Sequence, residues 1–441
     1  MATDAFGRLR TSEPFTTFNY HPSPSYYNTG DNDIWVRDTS GGSVYYDGSN
    51  NLIKIDVSGG AVTPNPDKYA FRTTKMPMDY QPGKSRLIMM SGVMISPVPT
   101  ASGEQIFSRM GLINVASPII TDGVWFEVDG SNNTLNWCES IQDGSGSYII
   151  NKKARSDWNI DKFDGTGPSG IVLSYQNMNK VILIVIDQEW LGVGRLRCGF
   201  NIDGVTYYAH KFTHETLSYA YTSSPKQRIG YEILTGTHGT SPSTTYTMKQ
   251  ICCTCMSEGG FFPLGTRNSI STDISGVSIT SLNQKQNVIL GLRLQNPADK
   301  KFKNGIIKIL SVNVSFKPTN PGNNQTNVDV VKYNLQMHSN INGIQIGDLS
   351  GSGTISFTDL SNSIVSYHNN GTTHDISSNG YFIHSGFVSS QSTVSFGAND
   401  FETLLTRANI TQYDTLYLTV QGNVTGSTAL VYASIDFIES V

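Results

Sequence analysis

The sequence predicts an all-β protein, two β-sandwiches behind an extended N-terminal arm. Three observations carry this. Short segments alternate apolar and polar residues with period two over most of the 441 positions, and turn residues separate them. Sustained helical periodicity is almost absent. The stretch Lys180–His214 packs three strands into about 35 residues. There Val181–Ile186 is a continuous apolar run, too short to cross a bilayer and of the length of a strand buried on both faces. Arg195–Ile202 and Val205–Phe212 flank Asp203-Gly204, a dipeptide that permits the positive φ of a tight hairpin.

Residues 1–29 read as an arm, because Pro14, Pro22 and Pro24 interrupt a segment too short to bury a core of its own. It nevertheless carries Phe6, Leu9, Phe15 and Phe18, with Arg8 and Arg10 beside them. Apolar side chains on such a tail need a surface. Either the arm is a strand folded back on its own domain, or it clamps a neighbouring subunit. The working expectation is subunit docking through Phe6, Arg8, Leu9, Arg10, Phe15 and Phe18, with a sandwich that folds without the arm.

Residues 30–262 form the first sandwich, with strands expected at Trp35-Val36, Ser43–Tyr46, Leu52–Val57, Arg86–Ile95, Val124–Val128, Leu135–Ser140, Tyr148–Ile150 and Ile171–Leu173. Residues 263–276 read as a linker and 277–441 as a smaller β-sandwich. In the latter, Asn287–Gln295 and Gly305–Phe316 are expected to form a hairpin through Asn304-Gly305. Further strands are expected at Val328–His338, Gly380–Phe387, Thr393–Phe396, Thr415–Gln421 and Leu430–Ile438. The one helix expected is Phe401–Ala408, capped by Asp400 or Asn399.

Composition narrows the function. Charged residues make up 15% of the chain, the net charge is −4 and no basic block occurs, which argues against nucleic-acid binding. No signal-peptide core or membrane-spanning run is present, so synthesis in the cytoplasm without membrane insertion is expected. Sequons such as Asn132 and Asn313 then mark exposed turns rather than glycosylation sites. The odd set Cys138, Cys198, Cys252, Cys253 and Cys255 reads as free thiols, since no second ligand pair completes a zinc site.

Several stretches together resemble one family of virion proteins of tailed phages and large DNA viruses. They are AFGRLRTSEPF (5–15), YQPGKS (80–85), SDWNIDKFDGTGPSG (156–170), DQEWLGVGRLRCGFNIDG (187–204), the H-x-F-x-H stretch at 210–214 and SSP…YEI at 223–233, with ASIDFIES (433–440) as a looser closing match. The resemblance implies a concanavalin-like jelly roll for the first sandwich. It also implies a structural, capsid-associated or tail/fibre-type component of a virus particle, located in the virion, with other virion subunits as partners and homo-oligomerisation expected.

Such sandwiches also host glycan binding and glycoside hydrolysis. For glycan or receptor binding the candidate contacts are Trp137, Trp158, Tyr219 and Tyr221. For hydrolysis, Asp187 and Glu189 share a face by period two, but the further acid of sandwich glucanases is missing. Ion pairing of these acids with Arg195 and Arg197 is the favoured reading, and no enzymatic activity is expected. Asp157, Asp161 and Asp164 lack the regular spacing of a calcium loop and read as turn and cap residues. His210 and His214 would lie about 13 Å apart on a strand, too far to share a metal, and read as packing or interface residues. No cofactor is expected.

Overall fold

A computed structural model describes residues 14–22, 35–57, 68–99, 105–259, 265–279, 286–295, 306–319, 330–346, 355–369, 381–397, 404–409, 412–422 and 429–440, less short gaps within these ranges. The chain divides into two compact units, Met1–Phe261 and Phe262–Val441. Both are built of antiparallel β-sheet.

The first unit contains β1 (Pro14–Tyr20), β2 (Trp35–Ser40), β3 (Gly42–Asp47), β4 (Leu52–Val57), β5 (Tyr69–Thr74), β6 (Arg86–Ser96), β7 (Ile106–Ala116) and β8 (Ile119–Asp129). It continues with β9 (Thr134–Gln142), β10 (Tyr148–Ala154), β11 (Val181–Gln188), β12 (Leu196–Ile202), β13 (Val205–Phe212), β14 (Ile229–Thr235) and β15 (Tyr246–Glu258). One sheet runs β13-β12-β11-β6-β15-β4-β3, with β1 also paired to β15. The other runs β10-β9-β8-β7-β14-β5-β2. This is the concanavalin-like jelly-roll sandwich. The apolar run of β11 lies inside its sheet between β6 and β12, and Ile184–Gln188 are buried throughout. The β12–β13 hairpin turns at Asp203-Gly204, where φ is 52° and 79°. Only residues that tolerate the left-handed region fit there. The inward faces of both sheets supply one core, in which Phe126, Trp137, Trp158, Phe163 and Phe200 form an aromatic cluster.

Two expectations for this unit are corrected. Ile171–Leu173 is no strand; it contributes one isolated bridge, Asp164↔Val172. The second part of the arm is β1, a strand of its own domain: Pro14 pairs with Glu258 and Tyr20 with Cys253. Tyr20 is buried in the sandwich core, and Phe18 packs against it. The amphipathic strand found its surface within the chain. Phe6, Arg8, Leu9 and Arg10 lie outside the described residues.

The second unit contains β16 (Thr266–Ser271), β17 (Val277–Ile279), β18 (Asn287–Leu294), β19 (Ile306–Pro318), β20 (Val330–Ile341), β21 (Ile344–Ile346) and β22 (Thr358–Asp359). β23 (Val365–His368), β24 (Tyr381–Ser389), β25 (Thr393–Gly397), β26 (Leu404–Leu405), β27 (Arg407–Asn409), β28 (Gln412–Gln421) and β29 (Ala429–Ser440) complete it. One sheet runs β16-β29-β19-β25, and the other β21-β20-β28-β18-β23-β22. The linker expectation is corrected, because Thr266–Ser271 pairs with the C-terminal strand β29 from Glu439 to Ser434. A polar composition did not prevent a strand, since β16 needs only one buried residue, Ile270. The hairpin through Asn304-Gly305 is also corrected: β18 and β19 belong to different sheets. The described residues of the expected helix 401–408 are strands, Leu404–Leu405 on β19 and Arg407–Asn409 on β28, where available sheet edges outweigh weak helical propensity.

Candidate functional site

The sequence-predicted site residues fall in three places. Trp137 and Trp158 belong to the aromatic core cluster, each at most 2% exposed, and the Trp158 indole donates to Lys153 O (3.1 Å). Neither offers a ring face to a ligand, so both are corrected as glycan contacts. They are the spacers between the two sheets. Asp161 is also internal: its carboxylate accepts from the amides of Phe163 and Ser169 (2.8 Å each) and so ties the two sides of the loop 156–170 together. Among the described residues no cluster of three His, Cys, Asp or Glu side chains is placed to hold a metal.

Asp187 lies buried on the outward face of the β11 sheet. Its Oδ2 accepts from Arg197 Nη2 (2.6 Å) and from the Tyr208 hydroxyl (3.1 Å), and the guanidinium lies 4.4 Å from the Tyr208 ring. Glu189 is past the end of the strand, in the loop that follows. Asp187 is engaged by Arg197 as expected. Arg195 approaches Glu215 at 3.9 Å. No turnover of β-glucans is expected from the purified protein; reducing-sugar release that disappears in Asp187→Asn would overturn this assignment.

The sequence reading passed over a second set of acids. Glu127 and Asp129 alternate along β8 and project from the outward face of the other sheet. Arg109 on β7 bridges Glu127 (2.8 Å) and Glu232 of β14 (3.0 Å), while Lys152 of β10 bridges Glu127 (2.8 Å) and Asp129 (2.6 Å). Burial works against ionisation of Glu127, but Arg109 and Lys152 together outweigh it and hold its carboxyl below the usual range. Burial dominates at Glu232, which has Arg109 alone, so its carboxyl is raised. The Lys152 ammonium takes the place between Glu127 and Asp129 that a cation would seek. The signal in the sequence was the E-x-D alternation of Glu127 and Asp129; the partners come from three other strands.

The third place is one end of the first unit, where three loops meet. The Gln142 amide donates to Tyr221 O (2.8 Å), and the Tyr221 amide donates to Gly192 O (2.9 Å). The loop after β11 turns tightly: Leu191 and Gly192 have φ of 37° and 77°, and a side chain at Gly194 would strike Glu189 O. This is the physical content of the W-L-G-V-G sequence. Beneath the turn lies a buried polar layer. The His214 ring stacks on Tyr221 at 3.8 Å and 4°. Its Nδ1 meets Gly194 O (2.6 Å) and its Nε2 meets Glu139 Oε2 (2.8 Å). Asn151 Nδ2 donates to the other Glu139 oxygen (2.9 Å).

Gln188 Nε2 donates to the Tyr221 hydroxyl (2.9 Å), and burial raises that phenol far above its ordinary range. Arg86 in turn donates to Gln188, Gln227 Oε1 (2.8 Å), Met78 O (2.6 Å) and Pro225 O (2.7 Å). Tyr221 is thus the buried centre of the platform, and its expected role as a glycan contact is corrected. His214, read from sequence as a packing residue, is its stacking partner.

Above this layer sits a half-exposed rim. Trp190 packs edge-on against Tyr80 (6.0 Å) and its indole donates to Thr222 Oγ1 (2.7 Å). The Tyr80 hydroxyl accepts from the Leu191 amide (3.1 Å). Tyr219 lies over Gly144, where an added Cβ would come within 2.9 Å of its ring. Leu191 and Val193 are 49% and 43% exposed. In the β9–β10 turn, Ser145 and Ser147 donate to the Asp143 carboxylate and lower its pKa. Tyr219 is the one predicted glycan contact that remains at the surface. Trp190 was missed because the neighbouring acids drew the reading toward strand-end pairing.

No family model and no curated protein matches this sequence. Among solved structures the chain is similar to an endo-1,3-β-glucanase from Streptomyces sioyaensis, at 13% identity and TM-score 0.37 over 56% of this chain and 98% of that one. It is also similar to arcelin-5, a lectin-like defence protein from Phaseolus vulgaris (12% identity, TM-score 0.32, 54% and 96% covered). A third likeness is to the winged bean acidic lectin (13%, 0.31, 56% and 98%). At TM-scores below 0.5 these likenesses carry no inference about ligand or activity.

Proposed function

We propose that the protein is a non-hydrolytic glycan-binding module carried on a virus particle as one of its structural subunits. The observation that carries the binding reading is the rim of Trp190, Tyr219, Leu191 and Val193 on a rigid, hydrogen-bonded platform. Aromatic faces with fixed geometry suit the apolar face of a sugar ring, and neighbouring polar groups suit its hydroxyls. Preorganisation matters because ordering a loop during binding consumes affinity. The placement on a virion rests on the sequence resemblance, above all on AFGRLRTSEPF and WLGVGRLRCGF. Assembly with other virion subunits and display of a glycan site are compatible roles.

A glycan array probed with the purified full chain tests the binding reading. Tyr219→Ala should weaken binding to any positive glycan about tenfold, the cost of truncating one aromatic anchor, while leaving the melting temperature nearly unchanged. A chain that binds nothing, or that binds equally well without Tyr219, would remove the glycan reading and leave assembly as the role. Proteomics of purified particles tests the virion placement separately.

A further inference from the structure

The placement of β1 points to an interface between copies. β1 and β4 lie end to end along one edge of β15: β4 pairs with Tyr246–Gln250, and β1 with Cys253–Glu258. Among the described residues all of the β-ladder pairing of β1 is therefore to a single strand, in a notch bounded at one end by β4. Its register is fixed by specific anchors. Thr17 Oγ1 donates to Cys255 O (3.1 Å), and Thr254 Oγ1 donates to Phe18 O (3.0 Å). The Tyr20 hydroxyl accepts from Arg72 Nη2 (3.1 Å), and its ring meets Trp35 edge-on at 5.0 Å.

These contacts fit the notch to this strand sequence, and within an assembly of identical subunits each copy offers both the strand and the notch. β1 is the first described strand, and its ladder is the outermost on this part of the β15 edge. The fourteen residues 21–34 join it to β2, and fully extended they would reach about 45–50 Å, the scale of a neighbouring subunit.

We propose that β1 is an exchangeable strand, and that in assemblies of this protein the β1 of one copy fills the β15 edge of the next. Every contact formed within one chain is reproduced between two, so exchange leaves the local chemistry unchanged and makes assembly depend on concentration. A chain of such exchanges is head-to-tail, closing into a ring where the geometry permits. This inference does not depend on glycan binding.

Two measurements test it. After unfolding and refolding at increasing concentration, light scattering of the full chain should show multimers that are absent when residues 1–20 are deleted; monomers at every concentration would overturn the proposal. In a Cys252→Ser background, Asn19→Cys and Thr254→Cys are then placed on separate chains, which are mixed, unfolded and refolded together. Asn19 and Thr254 are register partners, so oxidation should yield a disulfide-linked heterodimer. Multimers that give no such heterodimer, while the doubly substituted chain closes its bond, would place the interface elsewhere and sink the exchange.

Discussion

Removing residues 1–20 lowers the unfolding midpoint of the first unit by roughly 10 °C. The sequence expectation was that the sandwich would fold without its arm, but the structure places Tyr20 in the core. Burying such a side chain contributes about 1.5–3 kcal/mol. A hydrogen bond to a charged group adds about 1.5–3 kcal/mol, and here the donor is the buried Arg72, which also donates to Gln250 Oε1 (2.5 Å). The sum, about 3–6 kcal/mol, corresponds to the stated shift in a unit of this size. All five tryptophans belong to the first unit, so their fluorescence follows its unfolding without interference from the second. A truncated chain with an unchanged midpoint would show that β1 contributes nothing to its own domain. The measurement is made on dilute monomer, where exchange between copies does not intervene.

Arg109→Met is the second large effect, expected to cost about 3–5 kcal/mol at pH 7, the usual consequence of removing one member of a buried charge network. The substitution leaves Glu232 with no cation and Glu127 with Lys152 alone. Its pH dependence separates this cause from simple loss of packing. In the wild type the depressed carboxyls of Glu127 and Asp129 contribute stability that is fully present above the unfolded carboxylate range and is lost as pH falls below that range through their lowered folded-state pKa. Glu232, with its raised carboxyl, acts in the opposite direction: its contribution is present at low pH and lost as pH rises.

Without Arg109 the Glu127 carboxyl moves up from its depressed position and Glu232 is raised further, so both take up protons more readily, which relieves the variant as pH falls. The stability gap between wild type and Arg109→Met should therefore be widest near pH 7 and shrink toward pH 4.5. Urea midpoints read by tryptophan fluorescence at the two pH values decide it. A gap that does not change with pH would assign the loss to packing instead of charge.

Local chemistry was enough to make many elements legible. Leu52–Val57 was read with its observed bounds, and the Asp203-Gly204 hairpin was legible because its turn residues and the alternation on either side are properties of contiguous sequence. The Arg197 partner of Asp187 was also within reach, since a hairpin-length separation and matched parity bring them together. What sequence by itself determined was the period of each strand, the turns that demand positive φ, and the absence of long helices or basic patches.

Tertiary structure decided which edges pair and which faces meet. Pro14–Tyr20 is amphipathic, a property equally suited to another subunit or to β15; only the position of Arg72, Trp35 and Thr254 selects the cis site seen here. Asn304-Gly305 has hairpin chemistry, yet its flanking strands were assigned to opposite sheets by long-range pairing with Leu416–Leu418 and Ile435–Phe437. Trp137, Trp158 and Trp190 look alike in sequence. Two became core spacers and one became rim because burial depends on what the other sheet and the neighbouring loops place above each ring, and no local pattern records that.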